Sequence, residues 1–200
     1  MTASSANGSK GTGRLPILGA PTFPARHRAM RLLWSVAWLL CARWTPPGWM
    51  PVRRLLLRAF GARLHPTARV RSSARIWWPA HLEMGPDSSL GPKATCYNVA
   101  PITLGARANV SQGVFLCAAG HNIDRPDFPL RPGGIVVGDD AWVAAEAFVG
   151  PDVVIGTGAV LGARGVAMRH LDPWTVYAGN PAVALRTRAA FTADDIFGAR

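Results

Sequence analysis

Residues 137–167 read VGDDAWVAAEAFVGPDVVIGTGAVLGARGVA and contain an internal repeat of six residues. Aliphatic or small residues stand at every sixth position, namely Val137, Val143, Val149, Ile155, Leu161 and Ala167, and Gly directly follows four of them. An α-helix repeats every 3.6 residues and a two-sided strand every 2.0, so neither produces this period. Self-similarity at a fixed period is typical of repeat architectures.

A triangular solenoid does produce a period of six. Each hexapeptide forms one flat wall, three walls form one coil, and the coils stack at about the 4.8 Å spacing of neighbouring strands. The sixth-position side chain points inside and stacks on its counterpart one coil away. We expect the small residue after it at a corner, where bulk or an unfavourable φ is penalised.

The same period recurs earlier and is then interrupted. Leu104, Val110 and Leu116 keep it, and Val70 and Ile76 form a weaker pair. It breaks over residues 117–136, which contain GHN at 120–122, three prolines and a pair of glycines. A solenoid gains nothing from such an insertion, so we predict a projecting loop that carries function.

The repeat divides the chain into three parts. We predict a β-helix domain over residues 63–186 and a C-terminal tail or short helix over residues 187–200. Residues 1–62 are predicted to be a disordered Gly/Ser/Thr-rich tail, over about 1–14, followed by an amphipathic helical segment. The helical stretches are residues 30–42 and 52–60, separated by a PPG turn at 46–48.

The second helical stretch places three arginines opposite an apolar stripe. Arg53, Arg54 and Arg58 recur at helical spacing, and the residues opposite them are Leu55, Leu56 and Phe60. This pattern is typical of a helix at a membrane interface. A helical cap packed on the β-helix explains it equally well, and the two interpretations are compatible.

The net charge of +11 is concentrated at the front of the chain. Residues 1–81 contain thirteen basic residues and no Asp or Glu, whereas residues 82–200 contain nine basic and eleven acidic ones. Basic residues interleaved with Trp and Leu favour an anionic membrane surface over nucleic acid. The apolar run 32–42 is too short to cross a bilayer. We expect a cytoplasmic protein with peripheral contact at the inner membrane face, and no cleaved signal peptide.

The cysteines and histidines do not form a metal-binding pattern. Cys41, Cys96 and Cys117 are odd in number and unpatterned, which is typical of a reducing compartment. We therefore predict neither a disulfide framework nor a metal cofactor.

Three stretches resemble a known family. Residues 97–117 (YNVAPITLGARANVSQGVFLC), 139–163 (DDAWVAAEAFVGPDVVIGTGAVLGA) and 172–182 (DPWTVYAGNPA) are similar to hexapeptide-repeat acyltransferases, especially colanic-acid-type polysaccharide O-acetyltransferases. The resemblance covers roughly residues 30–186. It implies a left-handed parallel β-helix and a homotrimer with active sites between subunits. It also implies acetyl-CoA as co-substrate and a sugar hydroxyl as acceptor in exopolysaccharide biosynthesis.

His121 is the candidate catalytic base. A hydroxyl attacks a thioester only when a base takes its proton, and the ordinary pKa of His suits that task. His121 is the one histidine on the projecting loop, and it matches the family's catalytic histidine. Asp124 could orient its imidazole or cap a turn.

The resemblance also assigns binding residues. Asn98 matches a polar residue that faces the acceptor, although it could equally stabilise a turn, and Trp142 matches a cleft-edge residue, although it could be a plain wall residue. For CoA, Ala145 and Ala163 match small residues beside the pantetheine arm. Arg169 and Arg186 match basic groups that meet the phosphates. Val183 departs from the pattern, because the family often has Lys or Arg there.

Two other functions fit the same fold. A γ-type carbonic anhydrase needs three converging metal-binding histidines, and only His121 is well placed. A non-catalytic trimeric scaffold or membrane-surface binding protein would need none of the matched residues.

Overall fold

The computed structural model describes residues 23–191 and residue 195. Two helices, α1 (Ala25–Cys41) and α2 (Met50–Ala59), come first and cover the two apolar stretches. The tail predicted to be disordered lies outside the described residues. Of the predicted C-terminal tail, only residues 187–191 and 195 are described.

Short β-strands make up the rest of the described chain. In order they are β1 (Arg63–Leu64), β2 (Arg69–Val70), β3 (Arg75–Ile76), β4 (Leu82–Met84), β5 (Ser89–Leu90), β6 (Thr95–Tyr97), β7 (Ile102–Leu104), β8 (Asn109–Val110), β9 (Phe115–Cys117), β10 (Ala119–His121), β11 (Leu130–Pro132), β12 (Ile135–Val137), β13 (Trp142–Val143), β14 (Phe148–Val149), β15 (Val154–Ile155), β16 (Val160–Leu161), β17 (Val166–Ala167), β18 (Thr175–Ala178) and β19 (Val183–Thr187).

The strands form three parallel walls of a solenoid. Wall A has the order β1-β4-β7-β12-β15, and wall C has the order β3-β6-β9-β14-β17. Wall B has the order β2-β5-β8-β13-β16-β18-β19, of which only the last pair is antiparallel. The chain runs from A to B to C and then begins the next coil. The period of six therefore predicted the architecture correctly.

The register brings the sixth-position residues into columns. Val143 pairs with Val110 in the preceding coil and with Leu161 in the following one, and all three are fully buried. Val137 pairs in the same way with Leu104 and Ile155. Burying a Val or Leu side chain contributes roughly 1.5–3 kcal/mol, so these columns are the main stabilising element of the solenoid.

The corner glycines at 138 and 156 are required because a Cβ would clash with the next coil, and not because their φ angles are positive. A Cβ on Gly138 would lie 2.8 Å from the backbone nitrogen of Thr157 in the next coil, and one on Gly156 would lie 2.5 Å from that of Pro173. The left-handed conformation falls two residues later, at Asp140 (φ 59°) and Gly158 (φ 66°). The expectation of a penalty for bulk was correct, and the expectation of an unfavourable φ at the small residue was wrong.

The interruption of the period is a β-hairpin. β10 and β11 pair antiparallel, with His121 opposite Leu130 and Gly120 opposite Arg131. The hairpin leaves the solenoid after β9 and returns at β12, at the edge where the chain passes from wall C to wall A. We call this edge the CA edge, and the edge between walls B and C the BC edge.

The two helices pack on the first coil and donate hydrogen bonds to each of its walls. Arg58 Nη2 donates to the Leu64 carbonyl on wall A at 2.6 Å, and Arg53 Nε donates to the Val70 carbonyl on wall B at 2.9 Å. Trp34 Nε1 donates to the Ile76 carbonyl on wall C at 2.7 Å. The helical segment is therefore a cap, as one of the two interpretations of its pattern required.

α2 packs against the solenoid with a mixed face that contains Arg53 and the fully buried Leu57, and Leu56 and Phe60 also pack against the core. Arg53 is 1% exposed, whereas Leu55 is 71% exposed. The Arg53 guanidinium also donates to Thr45 Oγ1 at 2.6 Å and to the carbonyls of Pro46 and Pro47. Burial, reinforced by the charges of Arg71 and Arg54, lowers the pKa of Arg53. The acceptors on the first coil and in the turn between the two helices explain why an arginine occupies this interior position.

Within the described part of the chain, no helix is both long and apolar enough to cross a membrane. α1 has 17 residues, which corresponds to about 26 Å of helix.

Candidate active site

His121 is the last residue of β10 and its side chain is exposed. Its Nδ1 lies 2.9 Å from the Phe128 carbonyl oxygen, and its ring stacks on the Phe128 ring at 4.4 Å with an interplanar angle of 9°. A carbonyl oxygen can only accept a hydrogen bond, so Nδ1 carries the proton. The neutral imidazole therefore has its free lone pair on Nε2, which is the arrangement that a general base needs.

The tip of the hairpin holds Phe128 in place through local contacts. The Asn122 amide donates to the Pro129 carbonyl at 3.0 Å, and the Phe128 amide donates to the Arg125 carbonyl at 3.0 Å. Phe128 has a left-handed φ of 42°. The orienting group on Nδ1 is thus a main-chain carbonyl. The Asp124 amide instead bonds to Asn122 Oδ1 in a local turn.

A groove of about 420 Å³ runs along the CA edge beside the hairpin. It is lined by Arg131, Pro151, Asp152, Met168, Arg169 and His170. Arg131 lies opposite Gly120 in the hairpin, and its guanidinium is 3.4 Å from the Asp152 carboxylate. The structure therefore places the predicted phosphate-binding Arg169 at the same edge as His121, one coil beyond the Pro151 corner.

Asn98 lies at the CA edge as well, but its side chain is fully buried. Its Oδ1 accepts from the Trp78 amide at 2.9 Å, and its Nδ2 donates to the Trp78 carbonyl at 2.7 Å. Both ends of the amide are engaged with the main chain. This favours the turn-stabilising alternative over direct contact with an acceptor.

Trp142 lies on wall B, on β13, and is 45% exposed. Its Nε1 donates to Ser111 Oγ at 2.8 Å, which fixes the indole on the outer surface of the wall. Arg186 is also on wall B, on β19, where it is exposed and donates to the Thr187 carbonyl.

Ala145 and Ala163 occupy equivalent positions of the BC edge, one coil apart. The Arg164 amide donates to the Ala145 carbonyl at 2.9 Å and ties the two corners together. Beside them, Arg164 Nε lies 2.7 Å from Glu146 Oε2, and this hydrogen bond raises the pKa of Arg164. At positions 145 and 163 the side chains are only methyl groups, which leaves the backbone at these two residues open to an extended ligand.

The predicted site residues therefore fall into two groups in one chain. His121, Arg169 and Asn98 lie at the CA edge, whereas Ala145 and Ala163 lie at the BC edge, with wall C between the two edges. Trp142 and Arg186 lie on wall B. A single chain does not bring the imidazole together with the BC edge.

Among residues 23–191 and 195, no three or more His, Cys, Asp or Glu side chains are grouped as a metal site would require. Cys96 is fully buried, and burial raises the pKa of its thiol to about 12. That thiol therefore stays protonated near neutral pH and is not a nucleophile.

Comparison with known proteins identifies relatives that match along most of the chain. No family model matches the sequence. The protein named as the colanic acid biosynthesis acetyltransferase WcaF of Escherichia coli (strain K12) is 35% identical over 159 residues, which is 80% of this chain and 87% of the relative.

Solved structures agree on the architecture. A hexapeptide-repeat acetyltransferase of Vibrio cholerae complexed with acetyl-CoA has a TM-score of 0.74 and 22% identity, covering 85% of this chain and 93% of the other. A galactoside acetyltransferase in complex with coenzyme A has a TM-score of 0.75 and 19% identity, covering 84% of both chains. This likeness confirms the predicted left-handed parallel β-helix.

Proposed function

The chain belongs to the hexapeptide-repeat acetyltransferases, and from that premise we propose that it acetylates a saccharide hydroxyl with His121 as catalytic base. The observation that carries the assignment is the hydrogen bond between His121 Nδ1 and the Phe128 carbonyl. It fixes the tautomer and leaves Nε2 free at an exposed edge.

His121 performs the proton transfers of the proposed reaction. Nε2 takes the proton of the acceptor hydroxyl as the oxygen attacks, and the Phe128 carbonyl stabilises the resulting imidazolium through the Nδ1 proton. Acetyl-CoA, when bound, supplies the activated thioester. His121 then returns the proton to the leaving sulfur, which restores the neutral imidazole for the next turnover.

The donor is proposed to lie along the BC edge. The paired corners at Ala145 and Ala163 present backbone without bulky side chains, which suits a pantetheine arm. Arg169 and Arg186 are exposed and would meet the phosphates. Val183 is exposed on β19 and supplies no charge there.

A homotrimer would unite the two groups of residues. In a threefold arrangement, the CA edge of one copy faces the BC edge of the next, so each of three equivalent grooves receives His121 from one copy and the alanine corners from another. The separation of the two groups by wall C supports this assembly. It also gives Trp142, next to the BC edge, a place on the wall of the groove.

The acceptor is proposed to be a sugar or saccharide precursor of an exopolysaccharide. The relative named for colanic acid biosynthesis supports this class. The reaction would take place in the cytoplasm, where precursors at the inner membrane face are within reach. Asn98 enters the proposal through Trp78, whose main chain it fixes at the CA edge.

Turnover of labelled acetyl-CoA with a panel of activated and lipid-linked saccharides tests the assignment. His121→Ala should lower kcat by about 10²–10⁴-fold, because the hydroxyl loses its base. The thermal midpoint should not change, since the side chain is exposed. His65→Ala is the matched control, because His65 is exposed on the first coil and bonds only locally to Thr67. A fully active His121→Ala enzyme would refute the base assignment, and no turnover with any acceptor would favour the scaffold alternative.

Mixing two inactive variants tests the intersubunit groove. His121→Ala damages only the CA edge, and Ala163→Trp blocks only the BC edge. Co-expressed with different tags, they should form mixed trimers in which about a quarter of the grooves have two intact edges, and activity should return to that fraction. If the mixture stays inactive although mixed trimers form, the site lies within one copy.

A further inference from the structure

α1 is apolar on both of its faces. Its inner face packs on the solenoid through Trp34 and Trp38, which are 3% and 8% exposed. Its outer face carries five further large apolar side chains, Leu32, Leu33, Val36, Leu39 and Leu40, which are between 44% and 70% exposed. A helix that is apolar all round is normally buried on all sides. Among residues 23–191 and 195, the outer face of α1 therefore has no apolar partner.

The turn after α1 continues this exposed surface in sequence. Trp44 is 79% exposed and Trp49 is 57% exposed. Of the nineteen large apolar side chains that the described structure exposes, ten fall within residues 30–55. Tryptophan side chains of this kind prefer the boundary between water and the apolar phase of a membrane.

The charges around this surface have one sign. Arg26 and Arg28 lie in the first turn of α1, Arg43 lies two residues after its end, and all three are exposed. Arg53, Arg54 and Arg58 already donate hydrogen bonds to carbonyls of the first coil and the turn, so we do not count them among the charges around this surface. Residues 1–82 contain no Asp or Glu at all.

We propose that the outer face of α1, together with Trp44 and Trp49, docks the protein on an anionic lipid bilayer. The helix lies in the plane of the interface, with its leucines in the acyl boundary and Arg26, Arg28 and Arg43 at the headgroups. Its length, about 26 Å, is short of the roughly 30 Å hydrocarbon core, so it lies on the membrane rather than across it.

The charge pattern argues against a second copy as the occupant. Two copies meeting through this face would place arginine against arginine, since the segment has no carboxylate with which to pair. An anionic bilayer supplies the missing negative charge and an apolar phase together. This inference goes beyond acetyl transfer and does not depend on it.

Vesicle flotation with the full-length protein tests the proposal. The protein should float with vesicles of phosphatidylglycerol and phosphatidylcholine, and much less with phosphatidylcholine alone. Raising the salt should weaken binding, because the Debye length falls from about 10 Å at 0.1 M to about 3 Å at 1 M.

A pair of double variants separates apolar insertion from charge. Leu32→Ser with Leu40→Ser removes the two most exposed leucines of α1 and should weaken partitioning about tenfold. Ala25→Ser with Ala29→Ser adds the same two hydroxyls to the same exposed face and should bind as the unmodified protein does.

Three outcomes of these experiments would overturn the proposal. One is a failure of the protein to float with anionic vesicles. Another is undiminished binding of the leucine variant, which would reduce the effect to charge alone. A change in the oligomeric mass of the leucine variant without vesicles would show that another copy covers the face. Acetyl transfer to a water-soluble acceptor should be equal in both double variants, so failure here is distinct from failure of the enzyme assignment.

Discussion

The coils and the hairpin of this chain stabilise their side chains in different ways. In the coils, the partner of a buried residue is its counterpart one coil away, as Val143 lies between Val110 and Leu161. In the hairpin the partners are close in sequence, as His121 and Phe128 are seven residues apart. The coils thus hold the apolar interior, and the hairpin is free to expose one functional group. Stability and chemistry should therefore respond to mutation in different parts of the chain.

The largest expected effect is on stability, in the coils. Leu116 is fully buried on β9, one strand before the hairpin. Leu116→Ala should lower the free energy of unfolding by about 2–5 kcal/mol, because a cavity remains in the stacked column. Ile123→Ala, at a residue that is 79% exposed in the hairpin, should leave it unchanged. Chemical denaturation measures both, and equal losses would remove the distinction between the two regions.

The next expected effect is on catalysis rather than stability, and it lies in the hairpin rather than the coils. Phe128→Ala keeps the carbonyl on His121 Nδ1 but removes the ring on which the imidazole stacks. We expect kcat to fall about tenfold through a less fixed base, with an unchanged thermal midpoint. Phe148→Ala breaks a comparable ring pair with Phe115 on wall C, at 5.7 Å. It should cost about 1 kcal/mol of stability and leave kcat within about twofold. Kinetics and thermal unfolding of both variants test the contrast.

A smaller effect is expected where the solenoid ends. β19 turns back antiparallel on β18, and Val183 there is 56% exposed. Val183→Lys should lower the KM for acetyl-CoA by about two- to fivefold, since an exposed charge contributes a fraction of 1 kcal/mol. Val183→Thr is the uncharged control. An unchanged KM for the lysine variant would place the phosphates elsewhere.

The smallest effect concerns pH and the helical cap. Burial, followed by the charges of Arg31 and His81, lowers the pKa of His27 below its ordinary 6.5. Its ring lies against Trp78 at 4.4 Å, with Phe23 and Trp77 beside it. The unfolded chain binds the proton more readily, so this contribution to stability is full above pH 6.5 and is lost as the pH falls below it. His27→Gln should flatten the decline of the thermal midpoint between pH 7.5 and 5.5. An identical decline in both proteins would exclude His27 as its source.

From the sequence we predicted the features that follow from the six-residue period. We did not predict the hydrogen bonds that side chains donate to main-chain carbonyls. Spacing alone predicted the columns and the break in the period, and it placed His121 on the interrupting segment, whereas the catalytic role of His121 stays a prediction. The Phe128 carbonyl has no signature in the sequence, because every residue carries one. The same holds for Arg53, whose acceptors include a carbonyl of the first coil and carbonyls of the turn between the two helices.

Asn98 illustrates the limit of a motif. The resemblance matches Asn98 to a polar position that faces the acceptor, and in the structure Asn98 lies at the CA edge with its side chain buried. The sequence cannot show that the Trp78 main chain bonds to both side-chain amide atoms of Asn98, because the two residues are twenty positions apart and lie in neighbouring coils. Trp142, Ala145 and Ala163 lie within the repeat, and their roles in binding stay predictions.

The hydrogen bonds that Arg58, Arg53 and Trp34 donate to the three walls have a consequence for polymerisation. The terminal coil of a parallel solenoid normally exposes a row of unpaired main-chain acceptors. A strand of a second molecule can pair with this row and so start a fibril. Here one carbonyl on each side of the triangle already has an internal donor. The helical cap thereby prevents a second molecule from adding further coils at this end of the solenoid.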